Sequence, residues 1–298
     1  MRTLLIAGFG DVARRAIPLL SGHWRILALV HDTQQQQLAR ELHVEPILAD
    51  LDHRPSLARL AGLADAVLYT APPPKSGRNE PRLANLLSAL AKTNSIPQQL
   101  VYISTPGIYG NCNGAWLTEC AKPAPQTPRA RRRLAAESLL RRLARRWPIS
   151  ITVLRAPGIY AAGRLPLERI EAGYPVPLRD EDSYVNHIHA DDLAAMCVKA
   201  LQRRGGIRFY HACDDLPLLS GDWFELLADA FALPRPPRMA RRQLFEALPA
   251  QRASFLAESR RLHNDRIKRE LQIRLRYPDV HEFLHETGQA LALQAKIR

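Results

Sequence analysis

The residues of this chain with chemistry to offer begin at Gly8-Phe-Gly10-Asp-Val-Ala13, directly after the apolar run Thr3 to Ala7. The spacing G-x-G-x-x-A suits a turn that cradles a dinucleotide diphosphate. Its first glycine permits a tight strand-to-helix turn, its second lets the backbone approach the phosphates, and its small last residue lets helix and strand pack closely. The diphosphate would meet the positive end of a helix predicted over Asp11 to Leu20, beside Asp11, Val12, Ala13 and Arg14. The same glycines also suit a purely structural turn. A second set, His31-Asp32, ends the apolar run Arg25 to Val30. Asp32 is placed to accept hydrogen bonds from the adenosine ribose of NAD, or to cap a helix predicted over Gln34 to Leu42. Arg14, Arg15 and His31 argue for the 2′-phosphate of NADP, so the choice between NADP and NAD stays open. Asp50, with Leu51 beside it, is placed to reach an adenine amino group, while Asp52 would cap the helix through Leu60. A third set is Ser104-Thr105, whose hydroxyls could hold a carbonyl or sugar hydroxyl, or only satisfy backbone groups in a turn.

These groups need a frame. Apolar runs at Thr3–Ala7, Arg25–Val30, Val44–Ala49, Ala66–Thr70, Leu100–Ser104, Ile151–Arg155 and Arg208–His211 read as strands, most of them separated by helical stretches. That order predicts an α/β fold: a doubly wound Rossmann-type parallel sheet with a small, mostly helical C-terminal substrate lobe. Residues 1–156 plus about 186–213 would form the dinucleotide-binding domain, and about 157–185 plus 214–298 the lobe. After Thr70, the run Ala71-Pro72-Pro73-Pro74 cannot continue a ladder, so the chain must turn away there, skirting the nicotinamide half of a cofactor. Residues 111–128 read as a loop covering the cleft, and 129–146 as a helix with Leu134, Leu139, Leu140 and Leu143 on its apolar face.

The formal net charge is +13, much of it arginine in 129–146 and 252–276. Such a balance attracts an anionic small substrate or nucleic acid. No recognised nucleic-acid module accompanies it, so nucleic acid is disfavoured. No apolar run reaches membrane-spanning length, and the N-terminus is a poor signal peptide, which leads us to expect a soluble cytoplasmic protein without a membrane partner. Cys112, Cys120, Cys197 and Cys213 lack a metal-ligand or CxxC spacing. His187 and His189 share a face if extended, but no third ligand stands near, so no metal site is expected.

In their order and intervals, several segments resemble the extended short-chain dehydrogenase/reductase family, in its epimerase/dehydratase branch. They are Gly8-Phe-Gly10-Asp-Val-Ala13, Ser104-Thr-Pro-Gly-Ile-Tyr109-Gly110, Leu154-Arg155-Ala-Pro-Gly-Ile-Tyr160, Asn186-His187-Ile-His189-Ala-Asp191-Asp192-Leu193 and Leu262-His-Asn264-Asp-Arg266, with Tyr277-Pro278-Asp279 behind them. The resemblance implies a parallel sheet carrying NAD or NADP and a lobe holding the substrate, often a nucleotide sugar. It implies cofactor contacts at the glycine turn, at Thr70, Ala71, Pro72 and Pro157, and substrate contacts from Tyr109, Tyr160, Arg164 and His187. The family expects a tyrosine and, four residues later, a lysine on the helix after the loop, usually with a glutamate four residues beyond. Glu137 fits the glutamate, which puts Arg133 in the lysine's place and Arg129 in the tyrosine's. A guanidinium holds a ribose or an anion but stays protonated and cannot serve as a base. Ser104, Thr105, Arg129 and Arg133 are then the catalytic candidates. Three readings follow: an oxidoreductase or epimerase of atypical site chemistry, a non-catalytic dinucleotide-binding sensor, and, least favoured, a nucleic-acid-associated protein. A homodimer through the helices 82–92 and 129–146 would have to accommodate eight arginines on the second helix, and a monomer is equally open.

Overall fold

The computed structural model describes residues 1–93, 96–247 and 256–287. Part of the basic stretch 252–276, residues 252–255, therefore lies outside the described residues.

Seven strands build one parallel sheet: β1 (Arg2–Ala7), β2 (Trp24–Val30), β3 (Glu45–Leu48), β4 (Ala66–Tyr69), β5 (Gln99–Ser104), β6 (Ser150–Arg155) and β7 (Ile207–His211). Their spatial order is β7-β6-β5-β4-β1-β2-β3. The winding reverses between β1 and β4, where Leu4 pairs with Ala66 and Ala7 with Tyr69. In such sheets the crevice at the carboxyl ends of the reversing strands is the ligand site. The central strands are apolar on both faces because both are covered, whereas the edge strand β3 stays partly exposed. Leu4 and Ile6 pack with the helices α1 (Asp11–Leu20) and α6 (Ala190–Ala200), and Leu5 and Ala7 with the opposite layer containing α3 (Pro81–Leu90) and α4 (Pro128–Arg146). All four of these strand side chains are fully buried, each aliphatic one worth roughly 1.5–3 kcal/mol of transfer free energy.

Local chemistry sets the helix starts. Asp32 caps α2 (Thr33–Glu41), accepting from the Gln35 amide at 2.7 Å. Thr127 caps α4 through the Ala130 amide at 3.2 Å, with Pro128 at the first turn. The Asp52 expectation is corrected. Residues Arg54–Leu60 form a 3-10 helix begun by His53 without a side-chain cap, and the Asp52 carboxylate instead takes Arg82 Nε at 2.8 Å.

The C-terminal lobe packs α5 (Leu167–Glu171) and α7 (Ser220–Ala230) with Tyr160, Tyr277 and Phe283 around a separate apolar cluster. It is pinned to α6, where the Asp192 carboxylate accepts from the Arg276 and Tyr277 amides at 2.7 and 3.0 Å. Not all of the tail joins the lobe: Ile267, Leu271 and Ile273 pack into the sheet core on the α1 side. Residues 111–128, expected to cover the cleft, are absent from the lining of the crevice. They are laced to the chain after 256, with Trp116–Leu117 pairing with Arg261–Leu262 and the amides of Cys112 and Gly114 both donating to Ser259 O at 3.0 Å. No helix among the described residues is long and apolar enough to cross a membrane.

Candidate active site

The crevice starts at the turn between β1 and α1. Gly8 holds φ at +104°, and a Cβ there would lie 2.4 Å from the Ala71 nitrogen, so only glycine fits. The Thr70 hydroxyl donates to the Gly8 carbonyl, locking the turn to the end of β4. Gly10 differs: a Cβ there would meet nothing within 4 Å, and no side chain caps α1. The space at Gly10 is open and no side chain takes the first-turn amides, which is what a diphosphate at a helix N-terminus requires. Asp11 stands one residue further on, where a bare carboxylate would repel phosphate. It is flanked by Arg15 Nε at 2.9 Å and Arg164 Nη1 at 3.0 Å. Burial raises its pKa, but the hydrogen bonds from Arg164 and Arg15 outweigh this and hold it below the ordinary value.

From this turn a cavity of about 460 Å³ runs outward, lined by Gly8, Gly10, His31, Gln35, Asp50, Leu51, Thr70, Ala71, Pro72 and Arg82, among others. Val12 and Ala13 pack inward beneath it, and Arg14 is half-buried outside its lining. Asp32 is likewise outside the lining. One of its carboxylate oxygens serves the α2 cap and the other lies 3.3 Å from His31 Nε2.

A second cavity, of about 560 Å³, shares Pro72 with the first and continues over the ends of β5 and β6. Ser104, Thr105, Arg129, Arg133, Pro157, Arg164 and His187 all line it. So do Tyr184, Asn186, Glu258 and Arg260, of which sequence reasoning had no site role for Asn186, Glu258 and Arg260. Glu258 and Arg260 arrive through the lacing of the tail onto residues 110–117, a long-range contact that no local spacing announces. Arg260 donates to Glu258 Oε2 and to the Gly110 carbonyl, both at 2.8 Å.

Hydrogen bonds below this cavity decide which groups remain available to a ligand. Ser104 is buried, and its hydroxyl donates to Glu137 Oε1 at 2.7 Å. Its proton is therefore committed to the protein interior. Thr105 accepts from the Gly107 amide at 3.2 Å, which leaves its own O–H to donate. Glu137 is held by a bidentate pair with Arg155, at 2.8 and 3.1 Å, and both side chains are about 1% exposed. Burial lowers the Arg155 pKa, but the hydrogen bonds and charge of Glu137 and Tyr109 together more than offset it and hold it above the ordinary value. Arg133 donates to the phenol oxygen of Tyr102 at 2.8 Å.

The two tyrosines expected near a substrate lie elsewhere. Tyr109 is buried away from the cavity, accepting from Arg155 Nη1 at 2.5 Å and lying 2.6 Å from His211 Nε2. Burial pushes His211 down to about 3, so it is neutral. Its Nδ1 faces the His263 carbonyl at 2.9 Å and must carry the hydrogen, which makes Nε2 the acceptor of the Tyr109 proton. Tyr160 is buried in the lobe core among Trp223, His189 and Phe283 and does not line the cavity. His187 does line it, stacked on Trp223 at 3.8 Å, and burial holds its pKa down to about 3, a neutral ring. Among the described residues no group of three or more His, Cys, Asp or Glu is arranged to hold a metal ion.

Comparison with known proteins fits this geometry. The profile of the NAD dependent epimerase/dehydratase family matches residues 14–210, well over half of the chain. A functionally unknown conserved protein from Silicibacter pomeroyi DSS is 29% identical, with a TM-score of 0.80 over 97% of this chain and 99% of that one. A protein from Methylobacillus flagellatus, provisionally assigned as an NAD-dependent epimerase/dehydratase, is 25% identical with a TM-score of 0.70, covering 100% and 99%. The dTDP-glucose 4,6-dehydratase DesIV from Streptomyces venezuelae, seen with NAD bound, shares the fold at 20% identity and a TM-score of 0.75, covering 95% of each chain. No curated protein matches the chain.

Proposed function

Because the chain belongs to the NAD-dependent epimerase/dehydratase family, we propose that it binds NAD or NADP along its sheet edge and acts as an oxidoreductase or epimerase on a small anionic substrate. The observation that carries this is the open cradle at Gly10, continuous through Pro72 with the cavity above Ser104 and Thr105. The first-turn amides of α1 would hold the diphosphate, with Arg15 and Arg164 cancelling the charge of Asp11. His31, Asp50 and Leu51 would line the adenosine half, and Thr70, Ala71, Pro72 and Pro157 the nicotinamide half. We assign residues 1–156 and about 186–213, with the 265–273 segment, to the cofactor unit, and the rest to the substrate lobe.

When bound, the nicotinamide supplies hydride-transfer chemistry. The chain's own groups do the rest. Thr105 donates a hydrogen bond through its hydroxyl to a substrate oxygen, while Ser104, its proton turned onto Glu137, holds that carboxylate in place from below. Arg129 and Arg133 stabilise negative charge as it develops, because preorganised donors in a cleft favour a transition state that carries charge. Neither can take up a proton. Proton traffic in this scheme runs through water at the mouth of the cleft.

The arginines in the tyrosine and lysine places also favour a second reading, a sensor that binds dinucleotide without turnover. Titration with NADH and NADPH followed by fluorescence, then a hydride-transfer assay over a panel of hydroxy and oxo compounds, separates the two. Binding with transfer supports the enzyme, and binding without transfer supports the sensor. Binding of neither cofactor overturns both.

A further inference from the structure

His187 lines the cavity above Ser104 and Thr105, yet the scheme above gives it nothing to do. It opens the short strand His187–His189, which pairs in parallel with Gly158–Tyr160 so that His187 stands opposite Gly158. The backbone is pinned there, because the His187 carbonyl accepts from the Asp214 amide at 2.8 Å. The imidazole lies flat on the Trp223 indole of α7, with centroids 3.8 Å apart and planes 16° apart. The Tyr160 ring meets it edge-on at 6.3 Å. Stacked and edge-on contacts of this kind hold a ring in one plane.

The two ring nitrogens have different surroundings. Nδ1 is buried without a hydrogen-bond partner among the described residues. The opposite edge lies over Gly158, where a Cβ would come within 2.9 Å of Cδ2 and 3.4 Å of Nε2. Gly158 lines the same cavity, so its missing side chain leaves that edge open to a ligand. Burial keeps the ring neutral, with its pKa down to about 3. A neutral imidazole carries one N–H and one bare nitrogen. Among buried backbone groups an orphaned N–H is rarer than an under-satisfied acceptor, and the same balance puts the imidazole hydrogen on Nε2. Asn186 beside it is already spent: its amide donates to the Arg260 carbonyl at 2.9 Å, and its oxygen accepts from the Leu262 amide at 3.0 Å.

We infer that His187 is a specificity-determining residue, whose Nε2–H holds an acceptor oxygen of the substrate in the cavity that Thr105 also lines. This role rests on the proposed reading of that cavity as the substrate site. It adds a fixed, neutral donor at the Gly158 wall and gives His187 no part in proton transfer.

Two measurements test it. In NADH-saturated protein labelled with [15N]histidine, long-range 1H–15N correlation at pH 7 should show His187 neutral with its hydrogen on Nε2. The signals missing from the His187→Gln protein give the assignment. A hydrogen on Nδ1, or a charged ring, overturns the inference. That spectrum needs no turnover and decides alone if no compound is turned over. The second measurement uses whichever panel compound is turned over fastest. A glutamine amide nitrogen reaches the place of Nε2, whereas an asparagine amide reaches only that of Nδ1. His187→Asn should raise KM by about tenfold, the scale of one lost hydrogen bond, with kcat within about threefold of the parent. His187→Gln should bring KM back to within about threefold. Equal losses in both variants would mean that His187 only packs against Trp223, and would overturn the inference. Cofactor fluorescence keeps the two failures apart. Loss of NADH and NADPH binding sinks the proposed function, whereas intact cofactor binding with the wrong tautomer or with equal losses sinks only the role of His187.

Discussion

Arg133 reaches down from α4 to the phenol of Tyr102 on β5, 2.8 Å away, so a tyrosine does touch the arginine pair, but from inside the sheet. Burial pushes the Tyr102 hydroxyl up to about 12 despite the opposing charge of Arg133. It remains a phenol at neutral pH and fixes the guanidinium. The result is a cleft with rigid positive charge and no titratable phenol at positions 129 or 133.

Gly10→Val should abolish cofactor binding without unfolding the chain. Gly10 has an extended backbone, φ −90° and ψ −170°, that valine adopts freely, and the added methyls enter empty space where the diphosphate would lie. Fluorescence titration should show NADH and NADPH affinity falling by at least roughly a hundredfold, with an unchanged melting temperature.

The two neighbouring hydroxyls should separate cleanly. Thr105→Val should lower kcat by about a hundredfold or more, the cost of losing one preorganised donor to developing charge. Ser104→Ala should act mainly on stability, by about 1 kcal/mol, because it removes a hydrogen bond to Glu137. Steady-state kinetics beside urea denaturation would check both, and the reverse pattern would refute the assignment.

Glu137→Gln should cost about 3–5 kcal/mol of folding stability, since it leaves the buried Arg155 guanidinium without its counter-charge. Equilibrium urea unfolding measures this directly. A loss under about 1 kcal/mol would mean that the pair is not held as described.

Acid should destabilise the protein well above the carboxylate range. Burial holds His211 down to about 3 and His189 to about 4, against an ordinary value of 6.5; for His189 this outweighs the pull of Asp191, while Arg155 and Arg15 push the two rings in the same direction as burial. Both folded values lie below the unfolded one, so the unfolded chain takes up protons that the native state refuses. The stabilisation is complete above about pH 6.5 and falls as the pH is lowered toward 4, by up to ~1.4 kcal/mol per pH unit for each ring. Urea midpoints measured between pH 7.5 and 5 should show this slope, and His211→Gln should reduce it.

What the sequence conveyed is what local rules control. The central strands were legible because a parallel strand covered on both faces is a continuous apolar run, as Leu4–Ala7 and Val67–Tyr69 show. The glycine turn was legible because backbone conformation at Gly8 admits no other residue. Asp32 was ambiguous in the sequence because capping a helix and facing a ribose call for the same residue type, and the 2.7 Å bond to Gln35 shows that it caps. Tyr109 and Tyr160 were misplaced because a motif gives order along the chain but not which way a ring points; burial turned both inward. Glu258 and Arg260 were missed because their place depends on tail-to-loop pairing more than a hundred residues apart in sequence.

The Asp11–Arg164 bridge joins the turn between β1 and α1 to the segment that leads into the lobe. Whatever arrives at the turn competes for, or reinforces, the charge that holds that segment in place. Because Arg164 also lines the second cavity, a change of charge at the turn is felt directly at the wall of its neighbour, and the two cavities are electrostatically linked.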